Sequence, residues 1–152
     1  MSEQSIRIGL VFWGGLNLLL GLIMFLAPGF FFDHIGTYGL RNDHFIGDLG
    51  SFYIAAGIGL LISINRPRWR APLLYVSAAW YALHAINHLF DIGKDNEGDG
   101  RGIADTVLIA IGAVGLYFLA RAADQGESGS GLSESGSPRG LPPRPADYPP
   151  GD

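Results

Sequence analysis

Four long apolar stretches occupy most of the first 121 residues of a 152-residue chain. An α-helix rises about 1.5 Å per residue, so roughly 20 apolar residues cross the hydrocarbon core of a bilayer. Ile8 to Ala27 is the cleanest stretch, with Asn17 its one strongly polar side chain. Ser51 to Ile64 becomes a full span when extended back through His44-Phe-Ile-Gly-Asp-Leu-Gly. Pro72 to Phe90 is the third, and Ile103 to Ala120, bounded by Arg101 and Arg121, is the fourth. A soluble bundle carries a polar stripe along each helix, whereas these are apolar on every side except near their ends. The expected fold is therefore all-α, an integral membrane bundle of four antiparallel helices with spans at about 8–27, 44–65, 71–91 and 102–121.

The first stretch is expected to be retained. Its apolar run exceeds that of a secretory signal, and Leu26-Ala27-Pro28-Gly29 offers no small-residue cleavage site.

Basic residues near the spans set the orientation, because Lys and Arg in short connections stay on the cytoplasmic side. Arg7, the Arg66-Pro-Arg-Trp-Arg70 turn and Arg121 fall on one side; Arg41, Lys94 and Arg101 fall on the other. The dense turn predicts a plasma-membrane protein with both termini in the cytoplasm. Trp69 suits the inner interface.

The chain has no cysteine, which excludes disulfide exchange, thiolate-held zinc and iron–sulfur clusters on its own residues. A net charge of -4 argues against nucleic acid as a partner. The lipid bilayer and other membrane proteins are the expected partners. Acidic residues gather on the predicted outer side, among them Asp33, Asp43, Asp48, Asp91, Asp95, Glu97, Asp99 and Asp105.

Residues 123–152 are rich in Gly, Ser and Pro and nearly devoid of apolar side chains, so a disordered cytoplasmic tail is expected. Its Pro-Pro-Arg-Pro segment at 142–145 has the composition of a polyproline ligand.

All four histidines, His34, His44, His84 and His88, lie on the predicted outer side. Counting outwards from Arg68 puts Asp48 level with His88, and counting across the outer loop puts His88 level with Asp105. His84, His88 and Asp91 share one face of the third span at i, i+4 and i+7; His44 and Asp48 share one face of the second. Asp43 or Asn42 is placed to cap the second span. Pairing inside the bundle is cheaper for these groups than exposure to lipid, and Ala55, Gly59, Ala78, Ala82 and Ala85 allow close helix approach.

Several chemistries fit such a layer. His84 and His88 with Asp91, Asp48 and His44 are the candidate metal ligands, imidazole and carboxylate suiting a transition metal. His44 with His84 or His88 is the candidate set for haem b held between helices. A His beside an Asp also suits proton exchange with a quinone or other lipid-like molecule, walled by Trp80 and Tyr81. The bland alternative is that the groups only bind helix ends to loops, and no catalytic residue is assigned. Asp95-Asn-Glu-Gly-Asp-Gly100 imitates the start of a calcium loop, but Thr106 occupies the twelfth position where a bidentate Glu belongs, so it reads as a solvated acidic turn. Phe30-Phe-Phe32 with Tyr38 reads as an interfacial anchor that lays residues 28–43, with His34, over the histidine layer as a lid.

The pattern Arg7-Ile-Gly-Leu-Val-Phe-Trp-Gly-Gly-Leu ending in Leu26-Ala-Pro28, followed by Asp48-Leu-Gly-Ser-Phe-Tyr-Ile-Ala-Ala-Gly-Ile-Gly59 and a short basic turn, resembles the DoxX-like group of small four-helix bacterial membrane proteins over residues 7–121. The resemblance implies the four-span architecture. Its named members are associated with quinone-linked sulfur oxidation or with membrane complexes handling oxidative stress. No motif of the group matches His84-Ala-Ile-Asn-His88-Leu-Phe-Asp91, so no role is carried to those residues. The expected function is a small non-enzymatic subunit or accessory of a larger membrane complex, with a redox, haem- or metal-binding protein as the alternative.

Overall fold

The computed structural model describes residues 1–36, 40–92 and 99–134, and in the last helix the side chains of 102–126. The described residues form five helices: α1 (Glu3–Leu26), α2 (Pro28–His34), α3 (Asp43–Ser63), α4 (Pro67–Asp91) and α5 (Asp99–Glu134). Three of them, α1, α3 and residues Gly102–Gly126 of α5, are long and apolar enough to cross a membrane. α4 has the length but carries more polar residues.

Local chemistry accounts for the helix boundaries. Ser2 opens α1, its hydroxyl accepting the Ser5 N–H at 3.1 Å. Pro28 cannot donate to the preceding turn, so α1 stops at Leu26 and Pro28 becomes the first residue of α2. The cap of α3 is Asn42, whose Oδ1 accepts the Phe45 N–H at 3.0 Å. Asp43 instead takes a two-pronged bond from Arg41, at 2.6 and 2.9 Å. Pro67 then opens α4 directly after the 64–66 turn.

Several boundaries differ from those expected, with α1 starting at Glu3 and α5 at Asp99, each ahead of its apolar run. The lid segment contains a helix of its own, α2. α4, the third expected span, starts at Pro67, four residues early, because proline is well suited to a first helical turn. At the other end α5 continues to Glu134, so residues 123–134 are helical where the composition predicts the start of the tail. Ala122, Ala123 and Gln125 are good helix formers, and Ala123 is buried. Residues 135–152, with the Pro-Pro-Arg-Pro segment, lie outside the described residues, as do Tyr38 and most of the acidic loop.

The helices pack as two antiparallel pairs, α1 with α3 and α4 with α5, with thinner contact between α3 and α4. The first pair is welded by glycine. Gly14 and Gly21 of α1 lie against Gly57 and Gly50 of α3, so close that a β-carbon on Gly21 would sit 2.6 Å from the Ile54 nitrogen and one on Gly57 would sit 2.6 Å from the Leu18 nitrogen. Backbone here rests on backbone, the packing that small residues allow when no hydrophobic drive exists between helices in lipid.

One core cluster draws on all four long helices through Leu10, Leu60, Leu74 and Leu116, each fully buried. It lies towards the end that carries the 64–66 turn. A second cluster, Met24, Ile46 and Tyr53 with Phe31 and Phe32 against it, fills the opposite end between α1, α2 and α3. The last turns of α4 are left beside this second cluster.

Arg70 is buried at the turn end, its side chain 7% exposed. Its guanidinium donates to the carbonyls of Ser63 (3.1 Å) and Ile64 (2.7 Å), closing the C-terminus of α3, and to Glu3 Oε2 (2.8 Å) in the first turn of α1. One side chain thus ties three helices. The other buried polar side chains serve their own helices: Asn17 donates to the Trp13 carbonyl at 2.8 Å, Ser63 to Leu60 at 2.6 Å and Thr106 to Gly102 at 2.7 Å.

Candidate functional site

Contacts between the helices fix the depth of each polar residue. Tyr53 and Phe52 meet Trp80, Gly59 lies near Leu73, and Ser63 meets Arg70. That register puts Asp48 opposite His84 and His44 opposite His88. Counting from Arg68 had paired Asp48 with His88; the turn is centred nearer Arg66, because Pro67 already belongs to α4. On the other side, Tyr75 against Tyr117 and Tyr81 against Gly112 keep His88 at the level of Asp105.

Two stripes therefore face each other across the thin α3–α4 contact. On α3 stand His44, Asp48 and Phe52; on α4 stand Trp80, His84 and His88, each at i, i+4 and i+8. They touch at their deep end, where the Phe52 and Trp80 rings are 4.5 Å apart. Above that contact they separate: His44 is 90% exposed and Asp48 69%, and these two pair with each other at 3.6 Å.

On α4 the imidazoles form a couple. His84 Nε2 and His88 Nε2 are 3.0 Å apart, with ring centroids at 4.8 Å. A nitrogen pair at that distance shares one proton, so one Nε2 donates and the other accepts. Both rings are half-buried, and the Trp80 ring lies 6.0 Å below His84. The Trp80 indole N–H is buried without a hydrogen bond of good geometry, though the Tyr53 hydroxyl is its neighbour.

The other expected members are placed elsewhere. Asp91 accepts from the Asn87 amide at 3.3 Å. Among the described residues no three His, Asp or Glu side chains gather into a group that could hold a metal. The five expected ligands thus form the His84–His88 couple, the His44–Asp48 pair and Asp91. His44 and His84, the pair considered for haem, have separate partners. The calcium-like segment Asp95 to Gly100 lies outside the described side chains.

The lid is corrected by α2. Phe31 and Phe32 pack into the Met24–Ile46–Tyr53 cluster, which pins α2 to α1 and α3, and among the described residues its backbone does not approach that of α4. His34 stacks on Phe30 at 4.5 Å and its Nδ1 lies 3.0 Å from the Phe30 carbonyl, so it serves its own helix.

Two features of the frame escaped sequence reasoning. The seven-residue spacing Gly14/Gly21 and Gly50/Gly57 was a readable signal for the α1–α3 weld. Arg70 looked like one more basic residue of the turn, and nothing in its neighbours marks it as buried.

The fold and the site define a protein whose described residues are all helical outside the turns, with three helices long and apolar enough to cross a membrane and a histidine couple at one end of α4. Comparison with family models, curated proteins and solved structures finds no match to this chain.

Proposed function

We propose that the chain is a plasma-membrane protein of four antiparallel spans, with both termini in the cytoplasm, related to the DoxX-like group and serving as a non-enzymatic subunit or accessory of a larger membrane complex. The observation that carries this reading is the outward direction of large apolar side chains on every long helix. Ile8, Val11 and Phe12 on α1, Phe45, Ile58 and Ile62 on α3, and Leu108, Ile111 and Phe118 on α5 are all exposed. Such a belt is untenable in water and ordinary in lipid. α4 shares it through Val76, Leu83, Ile86 and Leu89, and its 25 residues reach about 37 Å. Its charged residues, Arg68, Arg70 and Asp91, lie near its two ends, and the Ser77 hydroxyl in its middle is spent on the Leu73 carbonyl at 2.8 Å.

Support for a role in assembly comes from the outward side of α3. Gly47 faces open space, and Ser51 and Ala55 follow at i+4 and i+8, both exposed. A small-residue stripe lets another helix approach closely. A Gly47→Leu substitution is expected to leave thermal stability within about 0.5 kcal/mol, since a β-carbon added there meets nothing within 4 Å, yet to release a partner retained in mild detergent by the native chain. A native chain that leaves the membrane with no stoichiometric partner contradicts the accessory role. For topology, a reporter fused near Glu97 is expected outside and one fused after Asp152 inside; the opposite result reverses the orientation.

The second reading is a redox or ligand-binding protein acting through haem, a metal or a quinone-like molecule. The 3.0 Å His84–His88 couple is the observation that favours it.

A further inference from the structure

We infer that His84 and His88 form a chelating site for one divalent transition-metal ion of the imidazole-preferring class, copper(II) or zinc(II). This rests on the second reading alone and is independent of any partner complex. Two nitrogens bound to one ion at about 2.05 Å stand about 2.9 Å apart at a right angle and about 3.4 Å apart at a tetrahedral angle. The two Nε2 atoms stand 3.0 Å apart, within that bite, and belong to rings one helical turn apart on one face. The proton now shared between them occupies the place an ion would take. Binding moves that proton from the donor ring's Nε2 to its own Nδ1, so both rings stay neutral with one proton each on Nδ1, and the neutral couple takes up one metal ion with no net release of a proton.

Neighbouring residues suit a cation there. Asp48 lies opposite His84 and Asp105 is level with His88, so two carboxylates from adjoining helices flank the couple in depth. Trp80 closes the deep side beneath His84, and the exposed His44 and Asp48 leave the other side open to water. Two imidazoles complete only part of a coordination sphere. The remaining positions belong to water or to an incoming ligand, the open arrangement of a site that exchanges its ion. Imidazole nitrogen selects copper, nickel and zinc over magnesium and calcium, which want oxygen.

The test uses the full chain, purified in mild detergent and stripped with chelator, titrated with copper(II) and with zinc(II). One ion per chain is expected, with copper bound more tightly, and no uptake of magnesium. The copper spectrum should show splitting from two nitrogens in the native chain and from one in either His84→Ala or His88→Ala, with affinity reduced at least tenfold. His84→Gln and His88→Gln, which keep a hydrogen-bonding side chain, guard against loss of fold and should lose the ion equally while melting like the native chain. Asp48→Asn should weaken binding a few-fold and keep the two-nitrogen signature. The assignment is overturned if the native chain takes up neither ion, if a chain with both histidines changed to Gln binds as before, or if the signature vanishes only on changing His44.

Discussion

Replacing Gly21 with leucine is expected to prise α1 from α3 and to cost more than the roughly 1–3 kcal/mol usual for overpacking a core. The reason is what the new side chain meets. A flexible neighbour can rotate away from an added carbon, but here the atoms in the way are the Ile54 nitrogen at 2.6 Å and the Gly50 oxygen at 2.8 Å. Backbone in a helix cannot yield without moving the helix. Gly57→Val meets the Leu18 nitrogen and the Gly14 oxygen in the same way and should be equally damaging. Gly15→Leu is the control, because nothing lies within 4 Å of its added carbon. Thermal unfolding in detergent checks the contrast: Gly15→Leu melting like the native chain while Gly21→Leu fails to fold or melts far lower. Equal melting of all three would remove the glycine weld from the account.

Arg70→Ala should have the next largest effect, roughly 1–3 kcal/mol, from stranding two backbone carbonyls that have lost a charged donor. Arg70→Lys should rescue it poorly, since one ammonium cannot reproduce a planar fork directed at Ser63, Ile64 and Glu3. Glu3→Gln should be much milder, because Glu3 is 61% exposed and solvent screens the pair. The Arg70 guanidinium, chiefly through its hydrogen bond, holds the Glu3 carboxyl below the ordinary glutamate range. The sign follows: this contribution is complete above the unfolded value of about 4.3 and fades as pH falls through the lower folded value. Melting curves of the native chain and Glu3→Gln should therefore begin to draw together as pH falls below about 4.3 and meet once it passes the lowered folded value, both remaining apart from those of Arg70→Ala. Convergence of all three at neutral pH would deny Arg70 its role.

The helices were legible because each is a long apolar run bounded by an N-cap or a proline: Asn42 and Pro28 could be read as stops and starts from chemistry alone. The depth of the histidines was nearly legible, and the error of about one turn between α3 and α4 came from treating Pro67 as part of the connection. The site's division into pairs was not legible. Helical spacing says that His84, His88 and Asp91 share a side of one helix, but it cannot say how far α3 stands from α4, and that distance decides whether His44 and Asp48 join them. That distance follows from packing elsewhere. The glycine weld draws α3 onto α1, and Tyr81 and Leu116 belong to the core that α4 and α5 share. Arg70 was hidden for a related reason: a basic residue in a turn is ordinarily solvated, and only the arrival of the α3 terminus and Glu3 gives its charge a buried place.

The central claim is that α4 crosses the bilayer with the other three long helices, and the natural absence of cysteine makes it directly measurable. Single cysteines placed at Asn42, Arg68, Val76 and Leu83 can be probed in intact and in opened cells with a thiol reagent that does not cross membranes. Asn42→Cys should react in intact cells, Arg68→Cys only after opening, and Val76→Cys and Leu83→Cys in neither. Reaction of Val76→Cys or Leu83→Cys from the water on either side would place α4 outside the hydrocarbon and contradict the four-span account.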